Sequence, residues 1–417
     1  MLHSTLHRKD GGDLFMEQVS LAEIAQHYGT PVFVYSEAAI RSAYESFDSA
    51  LSMHPHKICY AVKANSNLSI LQLLADMGAG FDIVSGGELM RVLRAGGDPS
   101  RVVFSGVGKQ DWEIDLALEH DIGCFNVESA SELDRIARVA DVTGHTAPVS
   151  IRVNPDVDPK THPYIATGLK ENKFGVSIDE AYDLYKKAAV TPSLRIVGVD
   201  CHIGSQITDL TPFLDALARV LDLVDRLAAR SIEVDHIDLG GGIGVQYRDE
   251  TPIDVAEFAS AVGQAMSGRP QSLVFEPGRM IVANAGILLT RVNTLKTNED
   301  KNFAVVDAAM NDLIRPALYS AWQEVVSVAD TGAQENTWDI VGPVCETGDF
   351  LAKDRTLAIH EDDLVAILSA GAYGFVMSSN YNSRPRAAEV LVTGEDHRVI
   401  RQRESIEDLF ALEPIRE

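Results

Sequence analysis

Residues 57–65 read KICYAVKAN, a short apolar run that leads into a lysine, Lys63, and then into a polar turn. Short runs rich in β-branched and aromatic residues are typical of buried strands. Seven further runs of this kind follow along the chain, at GFDIV (80–84), RVVFS (101–105), GCFNV (123–127), VSIRV (149–153), IVGVDCH (196–202), VDHIDL (234–239) and SLVFE (272–276). The sequence therefore predicts eight strands within this part of the chain.

Amphipathic stretches separate these runs, for example SILQLLADMG (69–78) and TPFLDALARVLDLVDRLAARS (211–231). Strands that alternate with helices indicate repeated βα units and a parallel sheet. Eight such units predict an α/β fold with a (β/α)8 TIM-type barrel. An open, doubly wound sheet is the alternative, because the number of strands does not show that the sheet closes.

The pattern changes after residue 285 to short strands divided by turn residues, beginning with GILLTRVNTLKT (286–297). This part predicts a C-terminal all-β domain of sandwich or Greek-key type. We place the barrel domain at residues 32–285 and the β domain at 286–417. Residues 1–31 form an N-terminal segment with a predicted helix in EQVSLAEIAQHYG (17–29), and we expect it to pack with the β domain.

The composition limits the class of protein. Hydrophobic residues make up 46% of the chain and charged residues 23%, and the net charge is -25. A surface so acidic is not expected to attract nucleic acid or an anionic membrane. Four cysteines without CxxC spacing, no apolar signal segment and no run of eighteen apolar residues predict a cytoplasmic protein without membrane spans. Scattered histidines without an HExxH motif predict no metal site.

Unusual residues stand where several of the predicted strands end, the edge at which active sites of such barrels lie. Lys63 follows the first strand, and two interpretations fit it. It extends its charge to water, or its amine has a lowered pKa and forms a Schiff base with an aldehyde cofactor. Asp82 in the second strand and Arg152 and Asn154 at the end of the fifth add polar groups whose role is either structural or supportive of Lys63.

The seventh strand ends in a glycine run, Gly240–Gly244, and the eighth in EPGR, Glu276–Arg279. Glycines let backbone N–H groups approach a phosphate, although a tight turn also explains the run. The dinucleotide motif GxGxxG is not met, because its last glycine would fall on Val245. Glu276 either forms a surface pair with Arg279 or keeps a pyridine nitrogen protonated. His202, at the sixth strand end, is either a core residue or packs on a cofactor ring.

Taken together, the motifs resemble those of the alanine-racemase-like, fold-type III pyridoxal-phosphate decarboxylases. The resemblance covers nearly the whole chain, in the order YAVKAN (60–65), FDIVSGGEL (81–89), HIGSQ (202–206), GGGIG (240–244), EPGR (276–279), RPALY (315–319), CETGD (345–349) and GAYG (371–374). Departures are small: Thr347 replaces a frequent serine, and Trp322 and Gln323 follow Tyr319 where some relatives have histidine.

The resemblance implies pyridoxal 5'-phosphate as cofactor, bound covalently by Lys63. It implies that His202 stacks on the ring and that Glu276 pairs with its nitrogen. It further implies a set of cofactor contacts comprising Asp82, Ser205, Gly241, Gly242, Gly278, Arg279 and Tyr373. The implied substrate contacts are Arg279, Arg315, Tyr319, Glu346 and Tyr373.

The implied reaction is decarboxylation of an amino acid, with meso-2,6-diaminopimelate as substrate and L-lysine as product. Cys345 is implied as the proton donor, reaching the active site with Glu346 from the partner subunit of a homodimer. An ornithine or arginine decarboxylase is the alternative within the family. A non-catalytic, cofactor-binding regulatory protein is the alternative from another class.

Overall fold

In the computed structural model, which describes residues 3–9, 12–157, 173–299 and 301–415, the apolar runs form strands and the amphipathic stretches form helices. The strands are β1 Leu6–Arg8, β2 Leu14–Met16, β3 Val19–Ser20, β4 Val32–Ser36, β5 His56–Ala61, β6 Gly80–Ile83, β7 Val102–Phe104, β8 Cys124–Val127, β9 Ala147–Asn154, β10 Val176–Ser177, β11 Leu194–Cys201, β12 His236–Asp238, β13 Ser272–Phe275, β14 Gly286–Thr297, β15 Asn302–Val306, β16 Val325–Ser327, β17 Glu335–Val341, β18 Phe350–Ala358, β19 Leu364–Ile367, β20 Ala388–Thr393 and β21 Asp396–Arg401.

The helices are α1 Leu21–Tyr28, α2 Glu37–Leu51, α3 Leu68–Asp76, α4 Gly86–Arg94, α5 Asp111–Glu119, α6 Ala130–Thr143, α7 Ile178–Ala188, α8 Thr211–Ala228, α9 Val255–Ala265, α10 Arg279–Val282 and α11 Arg315–Tyr319. Short 3-10 turns lie at Val62–Ala64, Pro99–Arg101, Phe375–Met377, Tyr381–Ser383 and Glu407–Leu409.

The chain divides into two units. The barrel unit comprises Tyr44–Val245 and Thr251–Met280, and the β unit comprises Met1–Ala43, Gln246–Glu250 and Ile281–Glu417.

The barrel unit contains all eight predicted strands, and they are parallel. Their order is β5-β6-β7-β8-β9-β11-β12-β13, and β13 pairs with β5, so the sheet closes on itself. The predicted (β/α)8 barrel is therefore confirmed, and the open sheet is wrong. Because all strands run in one direction, their carboxyl ends gather at one rim of the barrel.

Local sequence explains where the barrel helices begin. Ser85, Ser129, Ser177 and Asp254 each accept a hydrogen bond from the backbone N–H three residues later, at α4, α6, α7 and α9. Such caps satisfy donors that the first helical turn leaves free and contribute about 1 kcal/mol each. The caps thereby fix where the helices that follow β6, β8, β10 and β12 begin.

The β unit is built on one mixed sheet in the order β18-β17-β15-β14-β4-β20-β21, with β19 pairing β14 and β16. Strand β4 lies in the sequence range that we assigned to the barrel domain, but it pairs with β14 on one edge and β20 on the other. All five of its residues are buried, as in a barrel strand. Its composition therefore does not distinguish the two sheets.

The N-terminal segment shares a hydrophobic core with this sheet. Leu21 and Ile24 of α1 belong to the same buried cluster as Val32, Val34 and Ile287. The predicted helix is present as α1, and it follows a small antiparallel sheet, β1-β2-β3, that the sequence did not indicate. Strands β16 and β18 were likewise not predicted.

Across the residues the structure describes, no helix combines the length and the apolar character needed to span a bilayer.

Candidate functional site

Lys63 lies in the 3-10 turn that directly follows β5. Its Nζ donates to the carboxylate of Asp82 on the neighbouring strand β6, and Asp82 is fully buried. The Lys63 side chain keeps 35% of its surface exposed. A buried counter-charge therefore holds the Lys63 amine at the strand end. This contact argues against the interpretation that Lys63 only extends its charge to bulk water.

The buried carboxyl groups at this end of the barrel include Asp82, Asp200, Asp238 and Glu276. Oxygens of the last three lie within 4.8 Å of one another, close enough to hold one metal ion, an arrangement that the sequence did not predict. Burial raises the pKa of Glu276 well above its ordinary value, and the charges of Asp238 and Asp82 raise it further. A cationic group beside Glu276 would therefore be strongly stabilised.

Glu276 is oriented by two polar side chains. Its Oε1 accepts hydrogen bonds from Ser105 Oγ at 3.4 Å and from Asn126 Nδ2 at 3.3 Å. Asn126 Nδ2 also donates to Ser105 Oγ at 3.2 Å, so the three side chains form one network. Ser105 follows β7 and Asn126 lies within β8, and neighbouring strand ends of the barrel thus set the direction of the carboxylate.

Arg152 forms a buried ion network near these carboxylates. Its guanidinium donates to Glu128 at 2.8 Å, lies 3.8 Å from the Asp200 carboxylate and stacks 4.8 Å from the centre of the Phe174 ring. Each of these partners favours the charged guanidinium. Arg152 is thus linked to the carboxylate cluster through Asp200.

His202 follows β11, and its imidazole is neutral. Removal of water from around the ring lowers the pKa of His202 well below its ordinary value, and the charges of Arg152 and Lys63 lower it further. The backbone N–H of Gly241 donates to His202 Nδ1 at 3.1 Å, which leaves the ring proton on Nε2. A flat, uncharged ring is thereby fixed beside the glycine run.

The glycine run has no room for side chains. A Cβ on Gly241 would lie 2.2 Å from the Glu276 carbonyl oxygen, and one on Gly242 would lie 2.4 Å from the Gly204 carbonyl oxygen. Gly242 also has a φ of 107°, which L-residues rarely adopt. The close approach of the backbone at the ends of β11, β12 and β13 therefore requires glycine.

Ser205, Gly278 and Arg279 extend this rim. The guanidinium Nη2 of Arg279 donates to Ser205 Oγ at 2.9 Å. A Cβ on Gly278 would lie 2.9 Å from Ala64 Cβ, next to Lys63, and the Ala61 N–H donates to the Pro277 carbonyl at 3.1 Å. The barrel unit thus brings together the predicted cofactor residues Lys63, Asp82, His202, Ser205, Gly241, Gly242, Glu276, Gly278 and Arg279.

The other predicted residues belong to the β unit. Arg315 and Tyr319 open and close the short helix α11, and the Arg315 guanidinium lies 5.7 Å from the centre of the Tyr319 ring. The same guanidinium lies 5.5 Å from the ring of Tyr247. The two residues share one helix face, as their spacing predicts. Tyr373 lies in a loop and has a φ of 56°.

Cys345 and Glu346 are exposed in a loop of the β unit that is held by a neighbouring 3-10 turn. The Cys345 N–H donates to Asn382 Oδ1 at 2.9 Å, and Tyr381 Oη donates to Glu346 Oε2 at 2.9 Å. A thiol and a carboxylate are therefore presented at the surface of this unit with a fixed backbone.

A phosphorylated pyridine aldehyde fits the residues of the barrel unit. The glycine run and the Ser205 hydroxyl offer donors without steric obstruction, and Arg279 adds positive charge. Lys63 supplies an amine, His202 a neutral ring, and the buried carboxylates an excess of negative charge suited to a protonated ring nitrogen. Each part of the cofactor thus has a chemically matched partner.

Sequence reasoning missed several members of the site, namely Ser105, Asn126, Glu128, Asp200, Asp238, Tyr381 and Asn382. The first five did carry a signal, because each is a polar residue within or just after an apolar strand. Tyr381 and Asn382 lie in a short 3-10 turn between strands, where polar residues are common and carry no such signal.

Comparisons with known proteins agree with this geometry. The family model described as pyridoxal-dependent decarboxylase, pyridoxal binding domain, matches residues 37–283. The diaminopimelate decarboxylase of Pseudomonas aeruginosa is 60% identical over 403 residues, which cover 97% of each chain. The crystal structure of diaminopimelate decarboxylase from M. jannaschii in complex with L-lysine has a TM-score of 0.95 at 38% identity, covering 100% of this chain and 99% of that chain. The enzyme from Helicobacter pylori, also complexed with L-lysine, gives 0.91 at 44%, covering 94% and 98%.

Proposed function

The chain belongs to the pyridoxal-dependent decarboxylases, and from this we propose that it removes one carboxyl group from meso-diaminopimelate to give L-lysine and CO2. The observation that carries the proposal is the 60% identity to a diaminopimelate decarboxylase across 97% of both chains. Identity of this extent spans the barrel unit and the β unit alike.

The residues of the barrel unit have complementary roles in this reaction. Bound pyridoxal phosphate supplies an electron sink for the electrons left when CO2 departs. Lys63 holds the cofactor covalently, and Asp82 accepts a hydrogen bond from the Lys63 amine and fixes its position. Glu276, which is oriented by Ser105 and Asn126, would pair its carboxylate with the ring nitrogen. His202 offers a neutral face that excludes water without adding charge.

The phosphate contacts are assigned to Ser205, Gly241, Gly242, Gly278 and Tyr373. Ser205 can donate its hydroxyl proton, because Arg279 already donates to its oxygen. The close-packed glycine backbone brings N–H groups forward without side chains.

The substrate contacts are assigned to Arg279, Arg315, Tyr319, Glu346 and Tyr373. Diaminopimelate carries a second carboxylate at the end that does not react, and a guanidinium binds a carboxylate through two parallel hydrogen bonds. The Arg315 guanidinium is buried and stacked near Tyr247 and Tyr319, which favours a fixed orientation. Glu346 would bind the amine at that end, and Cys345 Sγ would deliver the proton to the carbon that loses CO2.

A homodimer with active sites shared across the interface completes the proposal. It is supported by the exposure of Cys345 and Glu346, which leaves a thiol and a carboxylate available to a second subunit. A cytoplasmic location is supported by the four free cysteines, which form no disulfide.

An ornithine or arginine decarboxylase is the alternative substrate assignment. Neither of these substrates has a second carboxylate for Arg279 and Arg315 to bind, and leaving a buried guanidinium without an anion costs binding energy. We therefore expect turnover of diaminopimelate to exceed that of both.

The test is to incubate the purified protein and pyridoxal phosphate with meso-diaminopimelate, ornithine and arginine in parallel, and to measure CO2 and the amino acid formed. We expect CO2 and L-lysine from diaminopimelate alone. Turnover of ornithine without turnover of diaminopimelate would disprove the substrate assignment, and no turnover of any substrate would favour the regulatory alternative.

The cofactor assignment has its own test in Lys63→Ala and Lys63→Arg. Both variants remove the amine that binds the cofactor covalently, and Lys63→Arg keeps a cation beside Asp82. We expect both to lose the visible absorption band of the lysine-bound cofactor, and only Lys63→Ala to be destabilised, by about 1–3 kcal/mol because Asp82 loses its partner. A normal band in Lys63→Ala would refute the assignment.

A further inference from the structure

Asp238 is a fully buried carboxyl group in β12 that none of the roles above uses. Its Oδ1 accepts a hydrogen bond from the Gly240 N–H at 2.8 Å, at the start of the glycine run. Its Oδ2 is also buried, and among the residues the structure describes no N–H or O–H donor reaches it. A buried acceptor without a donor costs folding free energy, so we expect Oδ2 to be satisfied in another way.

Asp238 also lies in a cluster of carboxyl groups. Oxygens of Asp200, Asp238 and Glu276 all lie within 4.8 Å of one another. Two ionised carboxylates repel at this distance and cannot form a hydrogen bond, whereas one shared proton makes one of them a donor. A proton on Asp238 Oδ2 would therefore satisfy this oxygen and supply a donor to Glu276.

The charges around Asp238 favour such a proton. The ionisable groups that act on Asp238 and Glu276 come from several strands, namely Asp82, Asp200, Lys57 and Lys63, with the thiols of Cys59, Cys124 and Cys201 close by. Burial raises the pKa of Asp238 to about 7, the charge of Asp82 raises it further, and a hydrogen bond with the Glu276 side chain lowers it, so the two carboxyl groups compete for one proton. A cationic ring nitrogen beside Glu276 favours ionised Glu276 and thereby leaves the proton on Asp238. Carboxylates outnumber cations in this cluster, so a proton relieves the repulsion.

We propose that Asp238 is a positioning residue that keeps a proton on Oδ2 and donates it in a hydrogen bond to the carboxylate of Glu276. The proposal rests on the proposed role of Glu276 toward the cofactor ring. Ser105 and Asn126 approach Glu276 Oε1, and Asp238 adds a donor from a third strand end. Asp238 Oδ1 also accepts from the Gly240 N–H, so this one side chain would contact both Glu276 and the glycine run that we assign to the phosphate.

Substitution of Asp238 by asparagine tests whether the carboxyl group acts in its protonated or its ionised form. The amide of Asp238→Asn accepts from Gly240 through its oxygen and donates to Glu276 through its nitrogen, as the protonated acid does. Asp238→Ala removes both contacts. We expect Asp238→Ala to weaken cofactor affinity about tenfold or more, and Asp238→Asn to restore it to within about threefold of the wild type.

The matched control is Asp312→Asn in the β unit. Asp312 is equally buried and its pKa is also raised to about 7 by burial, but it accepts from the Ala309 N–H and has no part in the barrel cluster. Asp312→Asn is expected to leave cofactor affinity unchanged. It therefore separates a general effect of removing a buried carboxyl group from the specific effect at Glu276.

Infrared difference spectra of the holoenzyme observe the proton directly. At neutral pH the wild type should show a C=O stretch from a protonated carboxyl group that is absent in Asp238→Asn. The readouts of cofactor affinity and of the carboxyl band do not involve decarboxylation, so they stay informative if the substrate assignment fails.

Three results would overturn the proposal. Cofactor affinity in Asp238→Asn as low as in Asp238→Ala would show that the ionised form is needed, and unchanged affinity in both would show that Asp238 positions nothing. A stoichiometric divalent metal ion in the wild type that is lost in Asp238→Asn would show that the three carboxylates bind a cation in place of the proton.

Discussion

At the scale of single residues, neighbouring ionisable side chains of the barrel differ in how strongly their surroundings favour the charged form. His202 is neutral because water is excluded from its ring, whereas Lys63 is held against a fully buried carboxylate. Burial raises the pKa of both Glu276 and Asp238. The charge of Asp238 raises the pKa of Glu276 further, and the charge of Asp82 raises that of Asp238. A cationic ring nitrogen reverses this preference for Glu276, and the site is thereby matched to its cofactor.

Glu276→Gln tests that match. Glutamine keeps the size of the side chain and can still accept from Ser105 and Asn126, but it cannot carry the charge that holds a proton on the ring nitrogen. We expect kcat to fall by about 10²–10³ while the cofactor content stays near that of the wild type. Measured kcat within about threefold of the wild type would contradict the role of Glu276.

Asp238 predicts a pH dependence of folding stability. Its folded pKa of about 7 exceeds its ordinary value of 3.8, so the folded state binds the proton more tightly than the unfolded state. The resulting stabilisation is full at acid pH and is lost as the pH rises to about 7. Urea unfolding at about pH 5, 6, 7 and 8 should show that Asp238→Asn gains stability relative to the wild type up to about pH 7, with no further change above it.

Asp225→Asn is the control for this measurement. Its hydrogen bond to Arg269 lowers the pKa of the exposed Asp225, so the stabilisation from that group is lost only as the pH falls through the acid range. The stability difference between Asp225→Asn and the wild type should stay constant over the same pH values. A constant difference for Asp238→Asn as well would contradict the raised pKa.

At the scale of structural elements, the strand-to-helix turns of the barrel rim depend on glycine. A Cβ on Gly241 would meet the Glu276 carbonyl oxygen at 2.2 Å, so Gly241→Ala must displace the backbone of one of two adjoining strand ends. We expect a loss of about 1–3 kcal/mol in stability and weaker cofactor binding. Thermal unfolding and a cofactor titration measure both.

Gly263→Ala is the matched control for this substitution. Gly263 lies within α9, and no atom lies within 4 Å of the position that its Cβ would take. Alanine there should raise stability by about 0.5–1 kcal/mol and leave cofactor binding unchanged. Equal effects of the two substitutions would show that the glycine run has no special role.

The elements themselves were largely predictable from sequence. Each of the eight apolar runs became a barrel strand, because a strand buried on both faces reads as continuous β-branched residues. Strand β4 was not predictable, since Val32–Ser36 has the same composition but pairs with β14 and β20, more than 240 residues away. Local pattern indicates burial, and only long-range pairing decides the sheet.

The site was only partly predictable, because local pattern again does not show how the strands are arranged. Lys63, Glu276 and the glycine run stand at strand ends, where motif and position coincide. Asp200 lies inside β11 and Asp238 is the last residue of β12, and the pattern does not tell whether either side chain points to the barrel interior or to the helices. In the closed barrel both side chains lie close to Glu276. Closure of the sheet depends on long-range strand pairing, which is not a local property of the sequence.

At the scale of the whole molecule, the net charge of -25 opposes long-range attraction of an anion such as the phosphate of the cofactor. We therefore expect this phosphate, and each carboxylate of the zwitterionic diaminopimelate, to be bound by local positive charge. Arg279 is buried in the barrel unit and Arg315 is buried in the β unit, and each is held by neighbouring side chains. We expect short-range contacts to these two guanidinium groups to take the place of electrostatic steering.

The proposed sharing of active sites between subunits gives a prediction for the assembly. A Lys63→Ala protein and a Cys345→Ala protein should each be inactive, but a mixed dimer carries one site with both residues intact. Equal mixing makes half of the dimers mixed, so about a quarter of wild-type activity should return after subunit exchange. Activity and the proportion of mixed dimers, followed with two distinguishable affinity tags, check this. Mixed dimers that form but stay inactive would show that Lys63 and Cys345 act within one subunit.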